Sequence, residues 1–119
     1  MISVGGSGIG AATAVNVANK GWHPVLIDAN EIGMAEVASQ IANSSIRGDY
    51  YVADVTDQQA LNDLANKIES DDGPIEALVT SAGIINNSQT ILEVDVKEHD
   101  RIWEVNYFGT IHTIRAFAQ

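Results

Sequence analysis

The sequence predicts an α/β fold in which helices cover both faces of a parallel sheet. Along the 119 residues, short apolar or β-prone runs take turns with longer segments of helical periodicity. Such alternation is typical of βαβ units. The run Pro24–Ile27 is continuously apolar, as expected of a parallel strand buried on both faces. A glycine cluster at Gly5–Gly10 follows the first β-prone run, and a helix is predicted to begin inside it.

Size and composition favour one packed domain over residues 1–119. The hydrophobic fraction is 45% and the mean hydropathy is +0.01, as in an ordinary globular chain. A chain of this length buries about two-thirds of its unfolded surface, which is enough for one core. Two domains are therefore excluded.

Charge and residue content exclude several classes of partner. The 16 acidic and 6 basic side chains give a net charge of -10, which offers no basic patch to nucleic acid or to an anionic membrane surface. The lack of cysteine excludes disulfides and thiolate zinc sites, and His23, His99 and His112 are too dispersed to predict a metal site. No apolar run approaches the roughly 18 residues of a membrane span, and no signal-peptide pattern opens the chain, so a cytoplasmic location is expected.

Four strands are predicted in chain order, of which the first is only a stub. They lie at Ile2–Val4, at Pro24–Ile27 with Asp28 as the last strand residue, at Tyr50–Ala53 and at Ile75–Thr80. Helices are predicted between and after them from apolar residues at helical spacing. These helices run from within Gly5–Gly10 to a C-cap at Gly21, from Asn30 to about Asn43, from a cap at Thr56 or Asp57 to Asp71–Pro74, and from about Val96 to the C-terminus.

The glycine cluster is the first feature with chemical content. Glycines at a strand-to-helix turn let a pyrophosphate approach the backbone, where the first N–H groups of the helix favour negative charge. The pattern Gly6-x-Gly8-x-x-Ala11 fits the dinucleotide-binding fingerprint with alanine at its last position. A glycine-rich turn without a ligand is the alternative interpretation.

Asp28 supports the fingerprint. It ends the second predicted strand and lies 18 positions after Gly10, where the fingerprint expects an acidic residue that holds the ribose hydroxyls. A carboxylate there repels a 2′-phosphate, and neither Ala29 nor Asn30 supplies an offsetting cation. NAD is therefore favoured over NADP. The alternative role for Asp28 is a carboxylate that caps the following helix.

Four segments of the chain then form a recognisable set. They are Ser3–Gly10, Asp54–Asp57, Thr80–Gly83 and Val105–Asn106. In order and spacing they resemble the N-terminal half of a short-chain dehydrogenase/reductase. The resemblance covers essentially the whole chain and implies a doubly wound Rossmann sheet, with NAD(P) lying across its carboxyl edge.

The resemblance also implies roles for particular residues. In this family the residues that match Asp54 and Val55 contact the adenine, and those that match Ser81, Ala82 and Gly83 line the ribose and nicotinamide side. Asn106 matches the asparagine of the catalytic tetrad, which holds a water beside the catalytic lysine; a polar interruption of the helix is its alternative role. With the loop and the ribose carboxylate, the expected cofactor-binding set is Gly6, Ser7, Gly8, Ile9, Gly10, Asp28, Asp54, Val55, Ser81, Ala82 and Gly83.

The sequence departs from the family's pattern in two turns. The family's phosphate loop opens with Thr-Gly, whereas this chain has Ser3 and Val4 or, in another alignment, a one-residue deletion. The family's Asn-Asn-Ala-Gly turn reads Thr80-Ser81-Ala82-Gly83 here, so two amide side chains are replaced by hydroxyls. Both changes reshape turns at the cofactor edge.

A further departure concerns catalysis. The family transfers hydride with a Tyr-x-x-x-Lys pair and an upstream serine, yet none of the three tyrosines here is followed four residues later by lysine. We therefore expect an incomplete domain with a clipped first strand and no C-terminal half. Its expected function is NAD(H)-dependent hydride transfer between an alcohol and a ketone in a complete family member, whereas this chain alone is expected to be inactive.

Two other functions stay open at the level of sequence. One is a nucleotide-binding or structural remnant without turnover, and the other is a domain that binds S-adenosylmethionine, against which the Ser81–Gly83 turn and Asn106 argue. The apolar stripe from Ile102 to Phe117 lies on the final predicted helix. The resemblance implies two roles for it: the stripe partly covers the sheet, and the neighbouring face commonly forms a subunit interface, so a homo-oligomer through that helix is one expected assembly.

Overall fold

The structure, a computed structural model, describes residues 6–42, 46–86 and 90–118. The predicted first strand, Ile2–Val4, lies outside these residues. The helices are α1 (Gly8–Ala18), α2 (Glu31–Ala42), α3 (Gln58–Asp72), α4 (Val96–Trp103) and α5 (Gly109–Phe117), with a π-helical segment at Glu104–Phe108 between the last two. The strands are β1 (Val25–Asp28) and β2 (Asp49–Val52).

The two strands pair in parallel, with Val25 opposite Asp49 and Asp28 opposite Val52. Between them the chain passes through α2, so the connection is the predicted βαβ crossover. Helices lie on both sides of β1, because alternate residues of this strand join different cores. Leu26 packs in a cluster with residues of α1 and α2, while Val25 and Ile27 pack in a second cluster with residues of α3 and α5. The doubly wound α/β architecture is therefore confirmed.

Local sequence explains where the helices begin. α1 starts at Gly8, inside the glycine cluster as predicted. α3 begins after Asp57, whose carboxylate accepts a hydrogen bond from the Ala60 N–H at 3.0 Å. Of the two candidate caps, Asp57 is thus the one that satisfies a free donor of the first turn.

The fourth predicted strand, Ile75–Thr80, is not formed as a continuous strand. Among the described residues of this segment, only Thr80 makes a β-bridge. The side chains nevertheless alternate between layers, since Leu78 packs with the α3 and α5 cluster and Val79 with the α1 and α2 cluster. A strand is defined by ladder hydrogen bonds to a neighbour, and the neighbour expected here is the first strand, which is outside the described residues.

The final predicted helix is not one regular α-helix. It is divided into α4, the π segment and α5, and it ends at Phe117. Within the π segment the Gly109 N–H bonds to the Glu104 carbonyl, five residues back, so one extra residue is inserted in the turn. No helix in the described ranges is long and apolar enough to cross a membrane.

Candidate functional site

A cleft of about 360 Å³ opens where the carboxyl ends of β1 and β2 meet the start of α1. Its walls contain most of the residues that the sequence singled out, together with several that it did not. The predicted residues in the lining are Ser7, Gly8, Ile9, Asp28, Asp54, Val55, Ser81, Ala82 and Gly83, and the others are Ala29, Ala53, Ile84, Arg101 and Val105. The remaining two predicted residues of the loop, Gly6 and Gly10, are not part of this lining.

The phosphate-loop candidate is held at the mouth of the cleft by the start of α1. Ser7 is extended, with φ -161° and ψ 171°, and Gly8 has a φ of 54°. A side chain at Gly8 would be strained by this backbone angle, although no atom lies within 4 Å of the position a Cβ would take. The first N–H groups of a helix have no intrahelical acceptor, so this end of α1 offers donors to an anion.

Asp28 connects the end of β1 to the glycine loop. Its Oδ2 accepts a hydrogen bond from the Gly6 N–H at 3.2 Å, and its Oδ1 accepts one from the Asn30 N–H at 2.9 Å. A Cβ on Gly6 would lie 2.8 Å from Asp28 Oδ2, so only glycine permits this approach. The carboxylate is part-buried and lines the cleft.

The capping role considered for Asp28 is performed by another residue. The Asn30 side chain accepts the Gly33 N–H at 3.3 Å, and Asn30 directly precedes α2. The contacts of Asp28 are instead with the Gly6 loop and with the backbone of Asn30 before the helix begins. Asp28 is therefore placed between the loop and the cleft, and Asn30 caps α2.

Asp54 is the second carboxylate of the cleft. Its Oδ1 accepts hydrogen bonds from the Thr56 N–H at 2.9 Å and the Thr56 hydroxyl at 2.8 Å, while Arg101 Nη2 lies 3.0 Å from Oδ2. The backbone hydrogen bond from Thr56, reinforced by the Thr56 hydroxyl and by Arg101, lowers the pKa of Asp54 despite its partial burial. Asp54 is therefore ionised at neutral pH.

Asn106 lies in the π segment and fixes the turn that forms one wall of the cleft. Its Oδ1 accepts the Ile84 N–H at 2.8 Å, and its Nδ2 donates to the Ile84 carbonyl at 2.9 Å. Ile84 directly follows the Ser81–Gly83 turn. The amide thus binds both backbone groups of one residue, and the polar interruption of the helix has a positioning role for this turn.

His112 and His23 lie in different surroundings. His112 Nδ1 lies 3.1 Å from the Val55 carbonyl, which can only accept, so Nδ1 is the protonated nitrogen. His23 Nε2 lies 2.8 Å from Asp49 Oδ2, and Arg47 Nε donates to the other oxygen of Asp49 at 2.7 Å. Asp72 is also near His23, so these residues form a His–Asp–Asp group. The three lie far apart in the sequence, which is why no motif predicts the group. These hydrogen bonds hold His23 and Arg47 against Asp49.

Arg101 is the functional candidate that the sequence did not reveal. It contacts Asp54 across 47 positions of sequence, and no motif links the two. Only the packing of α4 beside the carboxyl edge brings them together.

Comparison with known proteins identifies the family of the chain. The profile of the short chain dehydrogenase family matches residues 1–119. An uncharacterized oxidoreductase of Staphylococcus saprophyticus is 38% identical over 111 residues, which are 92% of this chain and 47% of that protein. The chain therefore spans about half the length of this relative.

Two solved structures share the fold. NAD+-bound xylitol dehydrogenase superposes with a TM-score of 0.93 at 24% identity, covering 98% of this chain and 45% of that one. L-sorbose reductase from Gluconobacter frateurii, solved with NADPH and L-sorbose, gives a TM-score of 0.84 at 26% identity, covering 98% and 46%. The chain contains a parallel βαβ unit with a glycine loop and an acidic strand end, and the family profile matches its whole length. Together these features define a Rossmann-type nucleotide-binding unit. The chain belongs to the short-chain dehydrogenase/reductase family of NAD(P)-dependent oxidoreductases.

Proposed function

We propose that this chain is a dinucleotide-binding domain over residues 1–119, and that it binds the NAD(H) that a complete family member uses for hydride transfer between an alcohol and a ketone, while the chain alone has no turnover. The observation that carries the proposal is the cleft, in which the α1 N-terminus, Asp28 and Asp54 share one edge of the sheet. The small-molecule alcohol or ketone is bound in the complete enzyme. When bound, the nicotinamide ring supplies or accepts the hydride.

The donors and acceptors that line the cleft suit the chemical groups of such a cofactor. The α1 N-terminus offers N–H donors to the pyrophosphate, and Gly8 leaves open space in front of them. Asp28 and Asp54 offer carboxylate oxygens to the ribose hydroxyls and the adenine amino group. The Ser81–Gly83 turn, held through Ile84 by Asn106, lines the nicotinamide side.

Preference for NAD over NADP is proposed from charge. Asp28 lies at the ribose position, and its carboxylate would repel a 2′-phosphate. Among the residues that the structure describes, Arg101 is the one cation in the lining of the cleft, and it is paired with Asp54. A 2′-phosphate at Asp28 would therefore meet a negative charge with no cation assigned to it.

The proposal is tested by titrating the purified chain with NADH and following the fluorescence of the reduced nicotinamide. Circular dichroism on the same sample shows that the chain is folded. We expect saturable binding of NADH and weaker binding of NADPH. A parallel thermal-shift series with S-adenosylmethionine separates this class from the remaining nucleotide class, because stabilisation by S-adenosylmethionine alone would reject the dehydrogenase interpretation.

A second function, nucleotide binding without turnover, is favoured by one observation. Within the chain no tyrosine is followed four residues later by lysine, so the family's proton relay is not present in these 119 residues. This candidate and the first share the cofactor site and differ only in catalysis. They are separated by supplying a segment of a family member that carries the Tyr-x-x-x-Lys pair to a chain that has been shown to bind NADH, and then measuring activity.

We also propose that the protein is cytoplasmic and that it forms a homo-oligomer through its final helical region. Cysteine-free composition supports the location. The exposed aromatic side chains of Trp103, Tyr107 and Phe108 support the interface, since they form one contiguous group.

A further inference from the structure

Arg101 lies on the wall of the cleft, next to the carboxylate that the proposed function assigns to the adenine. Its Nη2 is 3.0 Å from Asp54 Oδ2, and its Nη1 is 3.5 Å from the Thr56 hydroxyl. Glu104 Oε2, one helical turn along, lies 3.8 Å from Nη1. The guanidinium is thus oriented by three neighbours, and Arg101 is part of the lining of the cleft.

The hydrogen bonds already made by Asp54 limit what the carboxylate can accept from a ligand. An ionised carboxylate has about four acceptor positions, two on each oxygen. Thr56 fills both positions of Oδ1 through its N–H and its hydroxyl. Arg101 fills one position of Oδ2, so a single acceptor position is left on a residue that lines the cleft.

We propose that Arg101 is a positioning residue for adenine recognition, which holds Asp54 Oδ2 so that its remaining acceptor position receives the adenine amino group. This inference rests on the proposed function, because that function places the adenine at Asp54. A single acceptor with a fixed direction selects a base that has a donor at that point. Hypoxanthine has a carbonyl oxygen in place of the adenine amino group. This oxygen and Asp54 Oδ2 are both acceptors, so no hydrogen bond can form between them.

The guanidinium suits this task better than an ammonium would. Its donors lie in one plane with fixed directions, so it can bind Asp54 and the Thr56 hydroxyl at once. A lysine at the same position would keep the charge but lose the fixed geometry. Without either cation, Oδ2 would be hydrated in several orientations, and the amino group would compete with water for it.

The test compares NADH with reduced nicotinamide hypoxanthine dinucleotide, which differs from NADH only in the base. Dissociation constants are measured by fluorescence for the wild type, Arg101→Met and Arg101→Lys. Methionine keeps an apolar stem against the cleft wall and removes the charge. Lys97→Met is the matched control, because Lys97 is an exposed cation of the same helix outside the cleft lining. Circular dichroism of each variant verifies folding.

We expect the wild type to prefer NADH by about tenfold, as for one hydrogen bond to a charged group. Arg101→Met should weaken NADH binding by about tenfold and hypoxanthine dinucleotide binding by less than about twofold, so that the preference disappears. The preference of Arg101→Lys for NADH should lie between those of the wild type and Arg101→Met. Both affinities of Lys97→Met should match those of the wild type.

Other outcomes overturn the inference. If Arg101→Met and Arg101→Lys weaken both dinucleotides equally, Arg101 supports the cleft as a whole and does not direct base recognition. If the wild type binds both dinucleotides equally, Asp54 does not receive the amino group, although the proposed function stands. If the wild type binds neither, the proposed function is rejected and this inference with it.

Discussion

At the scale of single residues, Asp28 accepts two backbone hydrogen bonds and is also the residue proposed to bind the ribose. One substitution can test the second role while keeping most of the first. Replacing Asp28 with asparagine keeps an acceptor for the Gly6 or Asn30 N–H but removes the charge. We expect NADH affinity to fall by about tenfold, because hydrogen bonds to a charged acceptor are the stronger ones. The ratio of NADPH to NADH affinity should rise, since the repulsion of a 2′-phosphate is removed.

Fluorescence titration with both dinucleotides measures this effect. Asp63→Asn is the control, because Asp63 is an exposed acidic residue of α3 outside the cleft lining and its loss changes net charge equally. If Asp28→Asn leaves both affinities as they are in the wild type, the carboxylate does not bind the ribose.

Asp28, Asp54 and Arg101 show which site residues can be predicted from the sequence. Asp28 was found from its spacing after the glycine loop, and Asp54 from a family motif, since both positions are defined along the chain. Arg101 was not found, because its contact with Asp54 spans 47 positions and depends on how α4 packs. Motif spacing therefore identifies candidate ligands, whereas contacts between distant elements need the tertiary structure.

At the scale of elements, the start of α1 depends on the backbone of Gly8. Its φ of 54° is unfavourable for β-branched residues, and a valine side chain would also occupy the open space in front of the helix N-terminus. We expect Gly8→Val to abolish NADH binding and to lower the free energy of unfolding by about 1–2 kcal/mol.

Gly8→Ala is the matched variant. It strains the backbone at this position, but its smaller side chain obstructs less of the space in front of the α1 N-terminus. Urea unfolding and NADH titration on both variants distinguish strain from blocking of the site. Full NADH affinity in folded Gly8→Val would mean that the cofactor does not approach this loop.

The π segment is the element in which helical periodicity failed as a predictor. The apolar spacing of the final helix is continuous, so it predicted one regular helix, whereas the hydrogen bond from Gly109 to Glu104 adds a residue to one turn. Periodicity reports which side chains are apolar and gives no sign of side-chain hydrogen bonds to another segment. Here Asn106 makes two such bonds to Ile84 from within the widened turn.

Asn106→Leu should therefore destabilise the protein through Ile84. Removing the amide leaves the exposed Ile84 N–H and carbonyl to bond to water instead, and we expect a loss of about 0.5–1.5 kcal/mol in the free energy of unfolding. Urea denaturation followed by circular dichroism measures it, with Asn66→Leu on the exposed side of α3 as control. Equal stability of the Asn106 variant and the wild type would show that these two hydrogen bonds do not hold the turn.

At the scale of the whole molecule, the layer arrangement was predictable from the sequence, whereas the ladder pairing of Ile75–Thr80 was not. The buried run ending at Asp28 predicted a central strand, and its side chains do alternate between two helical layers. Ile75–Thr80 has the same β-prone character, yet in the described part of the chain it makes one bridge at Thr80. Side-chain burial follows from local pattern, whereas ladder pairing depends on a partner strand elsewhere in the chain.

The aromatic group on the final helical region predicts self-association. Trp103, Tyr107 and Phe108 are 59%, 50% and 48% exposed, and adjacent rings lie 5.6 and 5.1 Å apart. Exposed apolar groups of this kind mark interaction surfaces. We expect a dimer or larger oligomer by light scattering coupled to size exclusion, and a monomer for Trp103→Glu with unchanged circular dichroism. A monomeric wild type at high protein concentration would contradict the proposed interface.

Turnover is a property of the whole molecule, because hydride transfer needs a proton donor beside the substrate carbonyl as well as a bound cofactor. The residues proposed to bind the cofactor line the cleft, but the chain has no tyrosine with a lysine four residues later to act as that donor. We expect the purified chain to bind NAD+ and to produce no NADH from a panel of alcohols, while a full-length family member run in parallel does. Gly8→Val distinguishes real activity from contamination. NADH production that scales with the wild-type chain and disappears in this variant would show that other residues of the chain perform the proton transfer.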